Sequence, residues 1–499
     1  MYEHIHRGIT LHKNIKKLAV VGGGTAGLVS ALVLKRRFPD LQVDIICSKN
    51  IGIVGVGEGS TEHWKDFMDF MGIDQYTLIK ECDATYKVGI MFQDWTPQPY
   101  MHSVQTPYDN RASQYRYVYA KKIADGAKPT EMSSERYWRN HVNTWFLNNP
   151  KESPTSQYHF NTHKLNDFLT KFGENLGINF IYDEINDVEL NDQGEISMLK
   201  GTLQDYAYDF YIDSTGFKRI LMNKLGAKWV SFGKYLKMKA AIAFPTPDTE
   251  NYNMWTLAKA MDYGWMFRIP VWGRGGNGYI YDSDYITKEQ AKAEVEEYLG
   301  HEIEIGKEFQ FDPGALDRVW IKNCVAIGLS GSFVEPMEAT SIGTSIQQSF
   351  ILMHKLFNYD EHVIDSYNKS LTSIMENIRD FIVLHYIVKK DNSQFWKDIQ
   401  HLELPDSLQS KLDMWRHKIP IKEDFSGSSL YSLFTESNFI VVMHGLGLFD
   451  KESIKREFEM LHPEIKKHAD DVIQHEIDFL KETKEITHKM LISVIRETK

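Results

Sequence analysis

The chain is 499 residues long, 42% hydrophobic and 25% charged, with a formal net charge of −11, so it can bury a large core and lacks the excess of positive charge that nucleic-acid binding needs. Its three cysteines, Cys47, Cys82 and Cys324, form no Cys-x-x-Cys pair, which excludes a disulfide framework and a cysteine-based zinc site. No apolar run reaches the length of a membrane span, and the opening MYEHIHRGITLHKNIKK has no signal-peptide core, so a soluble, cytoplasmic protein with no membrane partner is expected.

The first unit runs strand (Leu18 to Val21), glycine turn, helix (Thr25 to Arg37) and strand (Val43 to Cys47), the β-α-β order of a mononucleotide fold. Gly22-Gly23-Gly24-Thr25-Ala26-Gly27 fits G-x-G-x-x-G within it. Gly22 allows the tight turn, Gly24 lets the backbone approach a pyrophosphate, and Gly27 lets helix pack on strand. The helix N-terminus then offers free N–H groups and a partial positive charge to phosphates. The acidic residue that often ends the second strand is missing; Cys47 and Ser48 stand there, leaving the Ser48 hydroxyl to meet a ribose. This motif alone does not separate FAD from NAD.

Residues 60–82 read as a helix, 84–95 as one strand, 96–158 as long loops and 159–177 as a helix. Short strands follow, among them Tyr211 to Phe217 (YIDSTGF), the kind of strand and turn with which many FAD proteins close their site. Residues 225–283 are β-rich, and there Trp265, Phe267 and Ile269 alternate onto one face of a strand closed by Pro270. Residues 322–357 read as strand, turn and long helix, and beyond about 363 the pattern is helical, with charged faces suited to solvent. The expected fold is α/β: a discontinuous FAD-binding, Rossmann-like core over residues 1–360 with a β-rich part at 225–320, then a mainly helical substrate-side subdomain over 361–499. No second G-x-G-x-x-G offers a nicotinamide site, and a flavin enzyme without one would need reduced flavin from elsewhere. Taken alone, Lys87 reads as an exposed strand lysine and Glu338 as a carboxylate stabilised at a helix start, with Glu335 close by as a competitor.

Together GGGTAG, GVGEGST (55–61), ATYKVGIMFQDW, HFNTHKLNDFL, DSTGF, WMFRIP and GLSGSFVEPMEATSI (328–342) resemble the flavin-dependent halogenases of the tryptophan halogenase family, over about residues 16–450. The resemblance implies an enzyme in which FADH2, O2 and halide yield hypohalous acid, which passes through an internal tunnel to a lysine and halogenates an electron-rich aromatic molecule. Lys87 takes the lysine's place and Glu338 that of the carboxylate opposite it. The resemblance further implies halide on the backbone of Thr340 and Ser341, and FAD on Gly23, Thr25, Ala26, Ser48, Ile51, Val56, Glu58, Gly59, Ile185, Leu329 and Ile342. Trp265, Phe267, Ile269 and Pro270 then form a barrier that keeps organic substrate from the flavin.

Three positions depart from the family pattern. Phe267 stands for a second tryptophan, Ala339 for a serine and Ser341 for a glycine, which points to an altered halide preference, toward bromide or iodide. The expected partners are a small indole- or phenol-type substrate and a separate flavin reductase; the oligomeric state is left open. Tyr431, Phe434 and His444 are candidates for a substrate pocket, each with core packing as the blander role. A flavin-dependent aromatic hydroxylase and an FAD-binding protein without turnover are the alternative readings.

Overall fold

The computed structural model describes residues 15–50, 58–103, 112–149, 152–356, 358–425 and 432–498. A six-stranded sheet carries the nucleotide-binding half, in the order Trp320–Ile321, Cys324–Ala326, Phe210–Asp213, Lys17–Val21, Gln42–Cys47 and Asn179–Tyr182. All pairs in it are parallel except the hairpin joining the first two strands. Leu18 to Val21 are all buried, as expected of a strand covered on both faces. The Thr25–Arg37 helix packs on the sheet and against the Thr340–Lys355 helix, with the Ser30 and Ser349 hydroxyls 3.1 Å apart between them.

The β-rich part is a seven-stranded sheet in the order Lys307–Gln310, Ala240–Pro247, Arg274–Tyr281, Gly264–Val271, Trp255–Ala260, Gly89–Gln93 and Tyr100–Ser103. A third, small sheet sets Gln157–Phe160 between Glu58–Gly59 and Thr85–Lys87. The site described below lies where these three sheets meet.

Several elements differ from the sequence reading. The single strand expected over 84–95 is two. At Val88, whose N–H donates to Met254 O at 2.6 Å, the chain leaves the small sheet and enters the large one, so Lys87 ends a strand at the seam. The helix expected over 60–82 is broken at Gly72, left-handed at φ 73°, into His63–Met71 and Gln75–Glu81. The loops expected over 96–158 include the 13-residue helix Ala112–Ala124, which meets Lys451–Glu459 and Pro463–Glu482. Among the described residues of 361–497 every regular element is a helix except Glu485–Thr487, a strand that returns to pair with His141–Asn143. One apolar core runs from Ile15 to Ile495, drawing on both the sheet half and the helical half. Among the described residues no helix is long and apolar enough to cross a membrane.

Candidate active site

The glycine turn opens a cavity of about 350 Å³, lined by Gly22, Gly23, Gly24, Thr25, Ala26, Gly27, Ser48, Glu58, Ile185, Leu329 and Ile342. Gly22, at φ +119°, closes the turn so tightly that a Cβ there would lie 2.1 Å from Ser214 O, whereas one on Gly24 would meet nothing within 4 Å. That open face lies at the start of the Thr25–Arg37 helix, which has no side-chain cap, so its first N–H groups are available to phosphate oxygens. Ile51 and Val56 lie outside the described residues. Sequence reasoning passed over Glu184, a carboxylate that lines the same cavity as Ser48.

An apolar pocket of about 190 Å³ adjoins this cavity and shares Glu58, Leu329, Ser341 and Ile342 with it. Phe267 and Ile269 form part of its wall, together with Phe217, Phe309, Phe311, Phe333 and Pro336. Phe267 fits because its neighbour across the sheet is Gly278, where a Cβ would lie 2.5 Å from the ring. A flat ring bound here would have its polar atoms near Glu58, whose Oε2 is sealed from solvent without a partner and whose pKa burial pushes up to about 7. A polar cradle running into an apolar slot, with an unsatisfied polar atom where they join, fits FAD. Trp265 points the same way along its strand but is fully buried, its Nε1–H donating to Glu335 Oε2 at 3.1 Å. The carbonyl of Pro270 accepts from Thr85 Oγ1 at 2.7 Å, which ties this strand to the one that carries Lys87.

Lys87, read in isolation as exposed, is 1% exposed. Its Nζ donates to Ser60 O at 2.7 Å, and burial lowers its pKa to about 8 against the opposing pull of Glu338 and Glu62. Gly59 separates Lys87 from the apolar pocket. A Cβ on Gly59 would lie 3.4 Å from both Lys87 Cδ and Ala339 Cβ, so only the width of a glycine divides the lysine stem from the wall that Ala339 shares with that pocket.

Glu338 is 2% exposed and reaches no ion pair with Lys87, although each feels the other's charge. His102 Nδ1 lies 2.8 Å from its Oε2, and His385 Nε2 lies 3.0 Å from its Oε1, close but off the axis of a good hydrogen bond. The two histidines outweigh the cost of burial and bring the Glu338 pKa down to about 2. Glu335, just as buried, shows what happens without them. Its Oε2 accepts from Trp265 and Tyr386, its Oε1 has no partner, and burial pushes its pKa up to about 7.

Ala339 sits left-handed at φ 53° and ψ 35° immediately before the Thr340–Lys355 helix, which has no side-chain cap. The N–H groups of Thr340 and Ser341, in the first helical turn, lack intrahelical acceptors, and both residues line the apolar pocket. Thr340 is buried, whereas Ser341 is exposed.

Beyond Glu338 the side chains are packed. Phe434 stacks on Phe381 with ring centroids 3.9 Å apart and is 3% exposed. His444 borders a surface cleft and donates from Nε2 to Ala127 O at 2.9 Å, while Tyr431 lies outside the described residues. Sequence reasoning also missed His102, His385 and Asn438. No local pattern marks them, because His102 meets Glu338 across 236 residues and Asn438 across 336.

The family model for tryptophan halogenases matches residues 17–459. Tryptophan 6-halogenase SttH of Streptomyces toxytricini is 30% identical over 457 residues, 83% of this chain and 86% of that one. Tryptophan 7-halogenase RebH of Lentzea aerocolonigenes is 28% identical over 485 residues, 87% of this chain and 90% of that one. The crystal structure of the Streptomyces enzyme superposes with a TM-score of 0.86 at 26% identity, covering 97% of this chain and 100% of that one. A flavin-dependent halogenase from Xanthomonas campestris superposes with a TM-score of 0.84 at 27% identity, covering 96% and 98%.

Proposed function

The chain belongs to the tryptophan halogenase family and is a flavin-dependent halogenase of aromatic substrates, and from that premise we propose that Lys87 and Glu338 together halogenate a small indole or phenol. Gly22 to Ala26 and the helix start at Thr25 hold the pyrophosphate of FAD, Ser48 and Glu184 its ribose, and the pocket beside Phe267 its ring system. When bound and reduced by a separate flavin reductase, FAD supplies hypohalous acid from O2 and halide. The free N–H groups of Thr340 and Ser341 hold the halide at the edge of that pocket. Phe267 and Ile269 wall the pocket off from bulky aromatic molecules, while at Gly59 the absence of a side chain leaves the thinnest part of the wall between that pocket and Lys87.

There the balance is Ar–H + HOX → Ar–X + H2O. The ring carbon takes the halogen as the O–X bond breaks. The Lys87 ammonium hydrogen-bonds the oxygen and gives a proton to the departing hydroxide, the Glu338 carboxylate takes the proton that the ring loses, and transfer of that proton through water back to Lys87 resets both groups. The observation that carries this reading is geometric: a fully buried lysine, its Nζ donating to Ser60 O, and a buried carboxylate flanked by two histidines, with the lysine stem packed behind Gly59 at the wall of the apolar pocket. Ala339 in place of serine and Ser341 in place of glycine alter the surroundings of the halide and favour the more easily oxidised bromide and iodide.

The test is mass spectrometry of an indole and phenol library with FAD, NADH, a flavin reductase and each halide. Halogen-bearing products are expected, with bromide ahead of chloride in equimolar competition, and Lys87→Ala lowering product at least 10³-fold while leaving FAD binding intact. Oxygenated products that form without halide would replace this reading with a hydroxylase, and full activity in Lys87→Ala would remove the lysine from it.

A further inference from the structure

Two histidines touch the one carboxylate, and their other ring nitrogens identify what each carries. His102 Nε2 faces the side-chain amide nitrogen of Asn438 at 3.0 Å, and Asn438 is oriented by the N–H of Thr435, which donates to its Oδ1 at 2.8 Å. Nε2 therefore accepts, the proton of a neutral His102 sits on Nδ1, and that proton is donated to Glu338 Oε2. His385 is different. Its Nδ1 lies 2.8 Å from the carbonyl oxygen of Phe381, which can only accept, so the proton of a neutral ring would sit there. That would turn the unprotonated, electron-rich edge of the ring toward Glu338, with Nε2 3.0 Å from Oε1 though off the hydrogen-bond axis, and with both side chains buried. A neutral ring in that orientation repels a buried carboxylate, whereas a ring that also carries a proton on Nε2 offsets its charge, at a separation too short to admit a water between them.

We propose that His385 is an imidazolium paired with Glu338, and that together with His102, whose Nδ1 lies 2.8 Å from Oε2, it is a positioning residue that keeps Glu338 an aimed carboxylate throughout the working pH range. This deepens the reading above, in which Glu338 takes the proton from the ring. The groups that face Glu338 from the packed elements are His102 and Tyr100 on the Tyr100–Ser103 strand, His385 on the Glu361–His385 helix and Lys87 on the Thr85–Lys87 strand. Tyr100 is driven above its ordinary range by burial and by this carboxylate, and stays neutral. Lys87, at about 8, is the other charged group, and it offers no hydrogen bond to either carboxylate oxygen. Glu335, on the same turn, is engaged by Trp265 and Tyr386. Without His385, Glu338 approaches the state of Glu335, a buried carboxyl that titrates near neutrality.

The experiment compares pH profiles of kcat from pH 5 to 9 for the full chain and for His385→Phe, His385→Gln and Glu338→Gln, each supplied with pre-reduced FAD. Hypohalous acid is counted separately with a small-molecule trap. The parent enzyme is expected to show no acid limb from Glu338. His385→Phe should acquire one with its midpoint near pH 7, so that its rate at pH 5.5 falls at least tenfold below its rate at pH 8, with KM values and trapped hypohalous acid unchanged. His385→Gln, which can donate to Oε1 without bearing charge, should show a smaller shift. A loss in His385→Phe that is the same at every pH would overturn the proposal and leave His385 a packing residue. Full activity in Glu338→Gln would instead overturn the role given to Glu338 itself. Should the variants fail to fold, 15N-histidine NMR of the parent at pH 8 decides the matter: one imidazole protonated on both nitrogens is expected, and a spectrum with none refutes it.

Discussion

Burial moves the Lys87 ammonium from an ordinary 10.5 to about 8, within the range where an enzyme assay can follow it. Below that pH the residue is a proton donor, and above it a neutral amine. If the ammonium delivers the proton to the departing hydroxide, halogenation declines about tenfold per pH unit once pH passes 8, with trapped hypohalous acid unaffected; steady-state rates from pH 7 to 10 with pre-reduced FAD measure this. A rate that climbs through pH 8 would mean instead that the free amine captures the halogen covalently. The sequence made the residue visible only through its motif. Nothing in ATYKVGIMF announces that the strand stops at Val88, and that break is what buries the lysine at the junction of two sheets. His385 and Asn438 were invisible for a related reason: each is an ordinary helical side chain whose partner is brought to it by the tertiary fold.

The turn at Glu335–Ala339 sets the direction of everything around it. Trp265 and Tyr386 hold Glu335, His102 and His385 hold Glu338, and left-handed Ala339 swings the chain into the helix whose open end adjoins the apolar pocket. A residue with a Cβ in that conformation costs roughly 1–2 kcal/mol relative to the right-handed region. Ala339→Gly should therefore stabilise the fold by up to about 1 kcal/mol, and Ala339→Val should destabilise it by about 1–2 kcal/mol; urea unfolding midpoints read both. Equal midpoints for the two variants would mean that the turn is not strained. Elements of this kind were legible where one stretch of sequence contains the whole device. The glycine turn and its flanking strand and helix fall where the spacing puts them, because the turn, the helix and the two strands that pair across it lie in one stretch of sequence. The path of residues 96–158 was not legible, since the Ala112–Ala124 helix is held by partners from beyond residue 450.

Across the whole molecule, the last helix reaches back to the first half of the chain. His488 is fully buried, donates from Nδ1 to Tyr252 O at 3.1 Å and accepts at Nε2 from the backbone N–H of Tyr86, the residue before Lys87. Burial depresses its pKa from 6.5 to about 4. As pH falls below 6.5 the unfolded chain takes up a proton that the folded one refuses until about 4, so stability is full at neutral pH and declines across that window. The slope is about 1.4 kcal/mol per pH unit and the total about 3 kcal/mol. His444, also lowered to about 4, adds to the same window. His488→Gln, which keeps a donor and an acceptor without a titrating proton, should flatten the fall of the thermal midpoint between pH 6.5 and 4; a fall as steep as the parent's would show that His488 is not its source.

The bond between His488 and the Tyr86 amide also has a meaning in time. Synthesis delivers the phosphate-binding turn before the Tyr86 amide, whereas the acceptor for that amide is made 402 residues after it. A chain still on the ribosome thus holds the means to bind flavin before it holds a finished lysine strand. In the order of translation, the lysine strand meets its buried histidine partner only after every residue that lines the two cavities has been made.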